Sequence, residues 1–165
     1  MNPTLYPFHK KLWLSFKDGF RDSNEDFYLG NKWIRAMTEG KQITMTAIGF
    51  KEGAWGGEKY NSFNIGTEDN AYELVTSGRL KPSLTPRIGF RMNDKRKFVT
   101  IDRDGEKMCS TQAFKGEGYA GWENTGDDCH SKYRWYPNAI VPQRTDNGGA
   151  IERYDASILM FREKP

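Results

Sequence analysis

Apolar and polar positions alternate clearly in some parts of the chain and hardly at all in others. ITMTAIGF (43–50) alternates and is rich in β-branched residues, which predicts a strand. KYNSFNIG (59–66) puts Phe63 and Ile65 on one face and predicts a second strand. AYELVTSG (71–78), after the turn Thr67-Glu68-Asp69-Asn70, predicts a third. RIGFRM (87–92) and KFVTID (97–102) flank a Met-Asn-Asp-Lys-Arg turn and read as a hairpin. SILMFREK (157–164) reads as a closing strand. FYLGNKWIRAMT (27–38) places Leu29, Trp33, Ile34 and Met37 at helical spacing and predicts a short helix. Between Asp102 and Ser157 lie more than fifty residues with almost no periodicity. A stretch that long without regular structure is uncommon in a compact domain and usually functional.

These segments predict an α+β fold with an antiparallel sheet and short helices. Residues 1–12 read as an N-terminal arm, with Pro3, Tyr6, Pro7 and Phe8 as a docking segment if it is not a floppy terminus. Residues 13–165 read as one domain: a sheet part at 13–100, a loop-rich part at 101–156 and a closing strand at 157–165. The length of 165 residues suits one domain. Few aliphatic residues, a 14% aromatic share and 17 glycines fit short strands and ordered loops.

The net charge of +3 is mild, and the basic residues are mixed with acids. The densest basic run, Lys95-Arg96-Lys97, reads as a solvated turn and not as a nucleic-acid patch, which needs clustering on one face. No run approaches the roughly 20 apolar residues of a membrane span. The N-terminus shows no apolar signal core, and no Asn-x-Ser/Thr acceptor occurs with x other than Pro.

Catalysis finds little support. Zinc-deaminase and zincin motifs are absent. The two Cys and two His, at 9, 109, 129 and 130, have no zinc-site spacing. Adjacent residues such as Cys129 and His130 usually point apart, which disfavours a thiol–imidazole pair. No phosphate loop or Gly-x-Ser-x-Gly is present. The chain is expected not to be an enzyme.

Three features of the loop-rich part remain, each with two readings. Cys109 and Cys129 are 129 − 109 = 20 positions apart. A bridge would order the loop by roughly 3 kcal/mol in the loop-entropy picture; the alternative is two free thiols. Asp102 and Asp104 alternate before Gly105. Two carboxylates with neighbouring carbonyls would suit a hard cation such as calcium; the alternative is an ordinary Asp-Gly turn. Tyr119, Trp122, Tyr133, Trp135 and Tyr136 crowd around His130. They read either as the wall of a small-ligand pocket or as a local mini-core.

The order of several segments resembles the fibrinogen-like domain family. LWLSFKDGF with EDFYLGNKWIRAMT, WGGEKYNSFNIGTEDNAYELVTSG, KFVTIDRDGEKMC, GYAGWENTGDDCHSKY and the terminal SILMFREKP follow the family's segments in order, over about residues 12–165. The resemblance implies a twisted antiparallel sheet with short helices and a loop-built subdomain that carries a ligand pocket and a calcium site. It implies a Cys109–Cys129 disulfide. It implies calcium carboxylates at Asp102 and Asp104, with carbonyls near Glu106 and Met108. It implies Tyr119, Trp122, Cys129, His130 and Tyr133 at the pocket. The sequence departs from the family where Glu123 replaces a second pocket Trp, and it begins at about the family's second subdomain.

The resemblance thus implies a non-catalytic, lectin-like recognition module for glycans or acetylated groups, extracellular or on the surface of an assembly. Weak single sites would call for a homo-oligomer. The alternative is a structural, decoration or adhesion protein of a larger assembly, such as a virion, that reuses the fold.

Overall fold

The computed structural model describes residues 11–21, 27–51, 53–79, 95–100, 102–103, 121–122, 134–136, 139–141 and 156–165. The main sheet has four antiparallel strands: β3 (Ile43–Lys51), β4 (Ala54–Ile65), β5 (Leu74–Arg79) and β10 (Ala156–Glu163), in the order β10-β3-β4-β5. The alternation of 43–50 is the reason for β3: Ile43, Met45 and Ala47 are buried, while Thr44, Thr46 and Ile48 are half-exposed. Met45 pairs with Tyr60 on one side and with Phe161 on the other. Phe63 stacks on Phe161 with ring centres 4.7 Å apart. On β4 the buried large side chains are Tyr60, Phe63 and Ile65, so burial does not alternate strictly along the strand, although its register with β5 is unbroken. β4 also starts earlier than its pattern predicts, because the apolar signal of AWGG is too weak to mark a strand.

Of two short helices, α2 (Asn31–Thr38) packs on β4, while α1 (Trp13–Asp18) packs on α2 and sets Trp13 and Phe16 against Phe98. α1, for which the sequence gives no periodic signal, buries Trp13 and Phe16. It ends at Gly19, whose φ is +92°, while Gly30 at φ +102° opens α2 (Asn31–Thr38). A Cβ on Gly19 would collide with the carbonyl oxygen of Leu29, and one on Gly30 would lie 2.6 Å from the Gly19 nitrogen. The two glycines let the end of α1 and the start of α2 touch backbone to backbone. Phe20 and Phe27 lie in a two-residue ribbon, β1 (Phe20–Arg21) against β2 (Phe27–Tyr28), so the first residues of the predicted 27–38 helix are strand.

The face that α2 buries also departs from its pattern. Asn31, Ile34 and Thr38 are buried, whereas Leu29, Trp33 and Met37 are 38%, 51% and 50% exposed. The reason is polar. Arg35 donates to the Ile65 carbonyl at 2.8 Å and to Asn64 Oδ1 at 3.2 Å. Thr38 Oγ1 lies 3.0 Å from that same oxygen. These bonds satisfy β4 groups that an apolar face would have left bare. Beneath them Tyr28 donates to Asn31 Oδ1 at 2.6 Å, and burial pushes the Tyr28 hydroxyl well above its usual range.

A second sheet carries the order β6-β7-β8-β9: β6 (Phe98–Val99), β7 (Gly121–Trp122), β8 (Arg134–Tyr136) and β9 (Ala139–Val141). Three of these strands lie in the stretch that shows no periodicity. Strands of two or three residues are too short for a period of two to register. Phe98 and Trp122 join the same hydrophobic cluster as Phe63, Ile65 and Leu74, so the two sheets share one core. Lys95 and Arg96 bond through their backbones to Leu74, which fixes this basic run alongside the start of β5. The proposed hairpin strand 87–92 and most of the arm lie outside the described residues. No helix among the described residues is long and apolar enough to cross a membrane.

Candidate functional site

Two of the sequence-predicted site residues, Asp102 and Trp122, are described. Tyr119, Cys129, His130, Tyr133, Asp104, Glu106, Met108 and Cys109 lie outside the described residues.

Asp102 sits at the tip of a tight turn. Thr100 and Arg103 exchange two backbone hydrogen bonds, at 3.1 and 3.0 Å. The buried Thr100 donates its hydroxyl to Asp102 Oδ1 at 2.7 Å. The same oxygen accepts from the Trp13 backbone N–H at 2.9 Å. Asp102 itself is exposed. Its carboxylate is a hard oxygen donor, the chemistry that a calcium ligand would need.

Trp13 gathers the groups around this turn. The Arg103 guanidinium lies 3.9 Å from its ring centre. On Trp13, Tyr72 stacks with centres 5.6 Å apart and planes 23° off parallel. The indole N–H donates to Glu68 Oε1 at 3.1 Å, and Lys17 Nζ lies 2.7 Å from Glu68 Oε2. The Lys17 bond first, and the Trp13 bond second, hold the Glu68 carboxyl below its usual range. Glu68 in turn holds the Lys17 amine above its own. Burial pushes the Tyr72 hydroxyl up to about 12.

Trp122, read from the sequence as part of a pocket wall or of a local mini-core, is buried. Its side chain is 0% exposed, and it meets Phe98 edge-on with centres 4.9 Å apart. Its indole N–H donates to the Tyr72 carbonyl at 2.7 Å. The ring is packed into the shared core. The physical reason is the turn it grips: Ala71 and Tyr72 hold φ of +47° and +49°, a left-handed conformation that costs side-chain-bearing residues roughly 1–2 kcal/mol each. The Trp122 bond and the Phe98 N–H to the Ala71 carbonyl, at 2.8 Å, hold that turn in place.

Asp102 and Trp122 are therefore joined through two stacked rings. Asp102 holds the backbone of Trp13, and Trp122 holds the backbone of Tyr72. Sequence reasoning missed Trp13, Glu68, Tyr72, Thr100 and Arg103. The only hint was the turn at 67–70, which marks where Glu68 lies but not what it meets.

The sequence model of the family described as "Fibrinogen beta and gamma chains, C-terminal globular domain" matches residues 6–148. The chain belongs to this family. Ryncolin-4 from Cerberus rynchops is 30% identical over 160 residues, covering 81% of this chain and 46% of the relative. Angiopoietin-1 from Sus scrofa is 34% identical over 67 residues, 40% of this chain and 14% of its own length. The chain thus spans less than half the length of the curated relatives it matches. The fibrinogen-like globe domain of human ANGPTL2 superposes with a TM-score of 0.69 at 20% identity, over 95% of this chain and 74% of that one. The lamprey fibrin D-dimer complexed with a Gly-His-Arg-Pro-amide peptide gives 0.58 at 22%, over 70% and 41%. These likenesses agree with the α+β fold read from the sequence.

Proposed function

We propose that this domain is a lectin-like module that binds glycans or acetylated groups in a loop pocket, extracellularly or on the surface of an assembly. The observation that carries the reading is the family match, which runs through the loop segment as far as residue 148. In this reading Tyr119 and Tyr133 wall the pocket, and His130 offers a hydrogen bond beside Cys129. Trp122 is the buried support beneath them. A Cys109–Cys129 disulfide orders the loop. Calcium is held by the carboxylates of Asp102 and Asp104 with carbonyls near Glu106 and Met108. The ion supplies a fixed positive charge that orders the loop.

The test is calorimetric titration of N-acetylated sugars into the oxidised protein, first with calcium and then with chelator. Calcium-dependent heat is the expected result. His130→Ala should remove that heat while thermal unfolding stays unchanged. A folded protein that gives no heat under either condition would overturn the glycan reading.

A second reading, a component of a larger assembly, draws on the exposed apolar residues Trp33 and Met37 on α2 and Leu29 just before it. Sedimentation of wild type against a Trp33→Ser, Met37→Ser double variant tests it. A large species that shrinks in the variant supports assembly, and a monomer in both cases removes it.

A further inference from the structure

β10 lies at the end of the main sheet in the order β10-β3-β4-β5, so among the described residues a strand pairs with one of its edges and not with the other. β9 comes near β10 but does not pair with it. The ladder shows which backbone groups face the open edge. The Lys164 N–H donates to the Gln42 carbonyl at 2.8 Å, which continues the pairing of Arg162 with Thr44. In an antiparallel ladder alternate residues turn both backbone groups toward the partner. The even positions of β10 therefore bond to β3. Ser157, Leu159, Phe161 and Glu163 turn their N–H and C=O groups the other way. Such a row is a template for another strand, and native sheets protect it with Pro, charge or a bulge. From Ala156 to Phe161 the strand has no Pro and no charge, and its register with β3 is unbroken. Leu159 and Phe161 pack against the core yet are only half-buried. On the other face Ile158 and Met160 are exposed.

We propose that two copies of this chain pair edge to edge through β10, antiparallel about a two-fold axis at Met160, so that the two main sheets become one. The pairing goes beyond the glycan and calcium readings and depends on neither. The charge pattern of the strand selects the register. With the axis at Met160, Leu159 of one copy meets Phe161 of the other, and each half-buried side chain gains cover. Arg162 meets Ile158, Glu163 meets Ser157 and Lys164 meets Ala156, so no charge faces its own sign. An axis at Arg162 would oppose two guanidinium groups. An axis at Phe161 would set Ser157 against Pro165, which has no N–H to give. An axis at Leu159 would leave Glu163 and Lys164 past the end of β10. A two-fold pair is closed, so the open edge is used up and the assembly stops at two.

The test is sedimentation of the full chain from about 10 μM to about 1 mM, the range of weak association. Hydrogen exchange by NMR is read at both ends of that range. The dimer fraction should rise with concentration. Where four fifths of the chain is paired, exchange at the Leu159 and Phe161 amides should slow by about fivefold. The Ile158 and Met160 amides, already bonded to β3, should change little. Met160→Lys places two like charges on the axis at an exposed position. It should leave thermal unfolding of the dilute chain unchanged and abolish the dimer. A monomer throughout the range overturns the proposal. So does a dimer that survives Met160→Lys, or one that leaves the Leu159 and Phe161 amides unprotected, as contact through Trp33 and Met37 would. The wild-type exchange pattern needs no variant, so the test stands even where Met160→Lys fails to fold.

Discussion

The two sheets of this domain are held in different ways. In the main sheet β10 and β3 share eight paired positions, so register is fixed along a whole ladder. In the second sheet β7 and β8 share one pair, Trp122 with Trp135. Register there rests on single anchors such as the Trp122 indole on the Tyr72 carbonyl. A ladder spreads its stability over many modest bonds and tolerates the loss of one. An anchored sheet concentrates it in a few contacts. The proposed pocket and cation loops belong to the second kind of region.

The largest effect should come from cutting the core that both sheets share. Phe63 is 1% exposed and stacks on Phe161. Phe63→Ala should cost about 3–5 kcal/mol, read as a lower urea midpoint. The second sheet should unfold with the first, since Trp122 and Phe98 lie in the same cluster. Separate transitions by tryptophan emission and far-UV dichroism would break that picture.

Trp122→Phe sharpens the comparison further. The smaller ring leaves some space, and the Tyr72 carbonyl loses its donor in a buried setting. About 1–3 kcal/mol should be lost. Exchange should quicken first at the Phe98 amide, which bonds to the same turn. An equal rise along β3 would show that the anchor is not local.

A smaller, pH-dependent effect belongs to Glu68. Its folded pKa is depressed below the ordinary 4.5 by Lys17 and then Trp13. Its contribution is therefore present above its unfolded pKa and fades as pH falls through the lower folded value. Glu68→Gln should flatten the loss of thermal stability between neutral pH and the acid range. An unchanged acid limb would show that Glu68 contributes nothing there. The smallest effect is expected at Trp33, which is half-exposed: Trp33→Ser should shift stability by no more than about 0.5 kcal/mol.

Much of the main sheet is legible in the sequence. Alternation marks β3, and the Phe63 and Ile65 pair marks the far end of β4, because a strand with one buried face must alternate. The family order is legible too, through segments that keep their sequence from Trp13 onward. α1 and β7 to β9 are not, since six-residue helices and two-residue strands carry too few positions for a period. The helix at 31–38 is half legible: its existence follows from spacing, but its buried face does not.

The sequence by itself determined that the chain forms an antiparallel sheet with short helices in the fibrinogen-like family, because local periodicity and segment order are properties of the chain alone. Only the tertiary structure decided that α2 turns Asn31 and Thr38 inward, that Trp122 is buried in the shared core and that Asp102 caps a helix 89 positions away. The reason is common to all three. A pattern says that one face differs from another, but which partner that face meets depends on backbone groups brought close by the fold. The Ile65 carbonyl, the Tyr72 carbonyl and the Trp13 N–H each needed a partner that no local pattern could name.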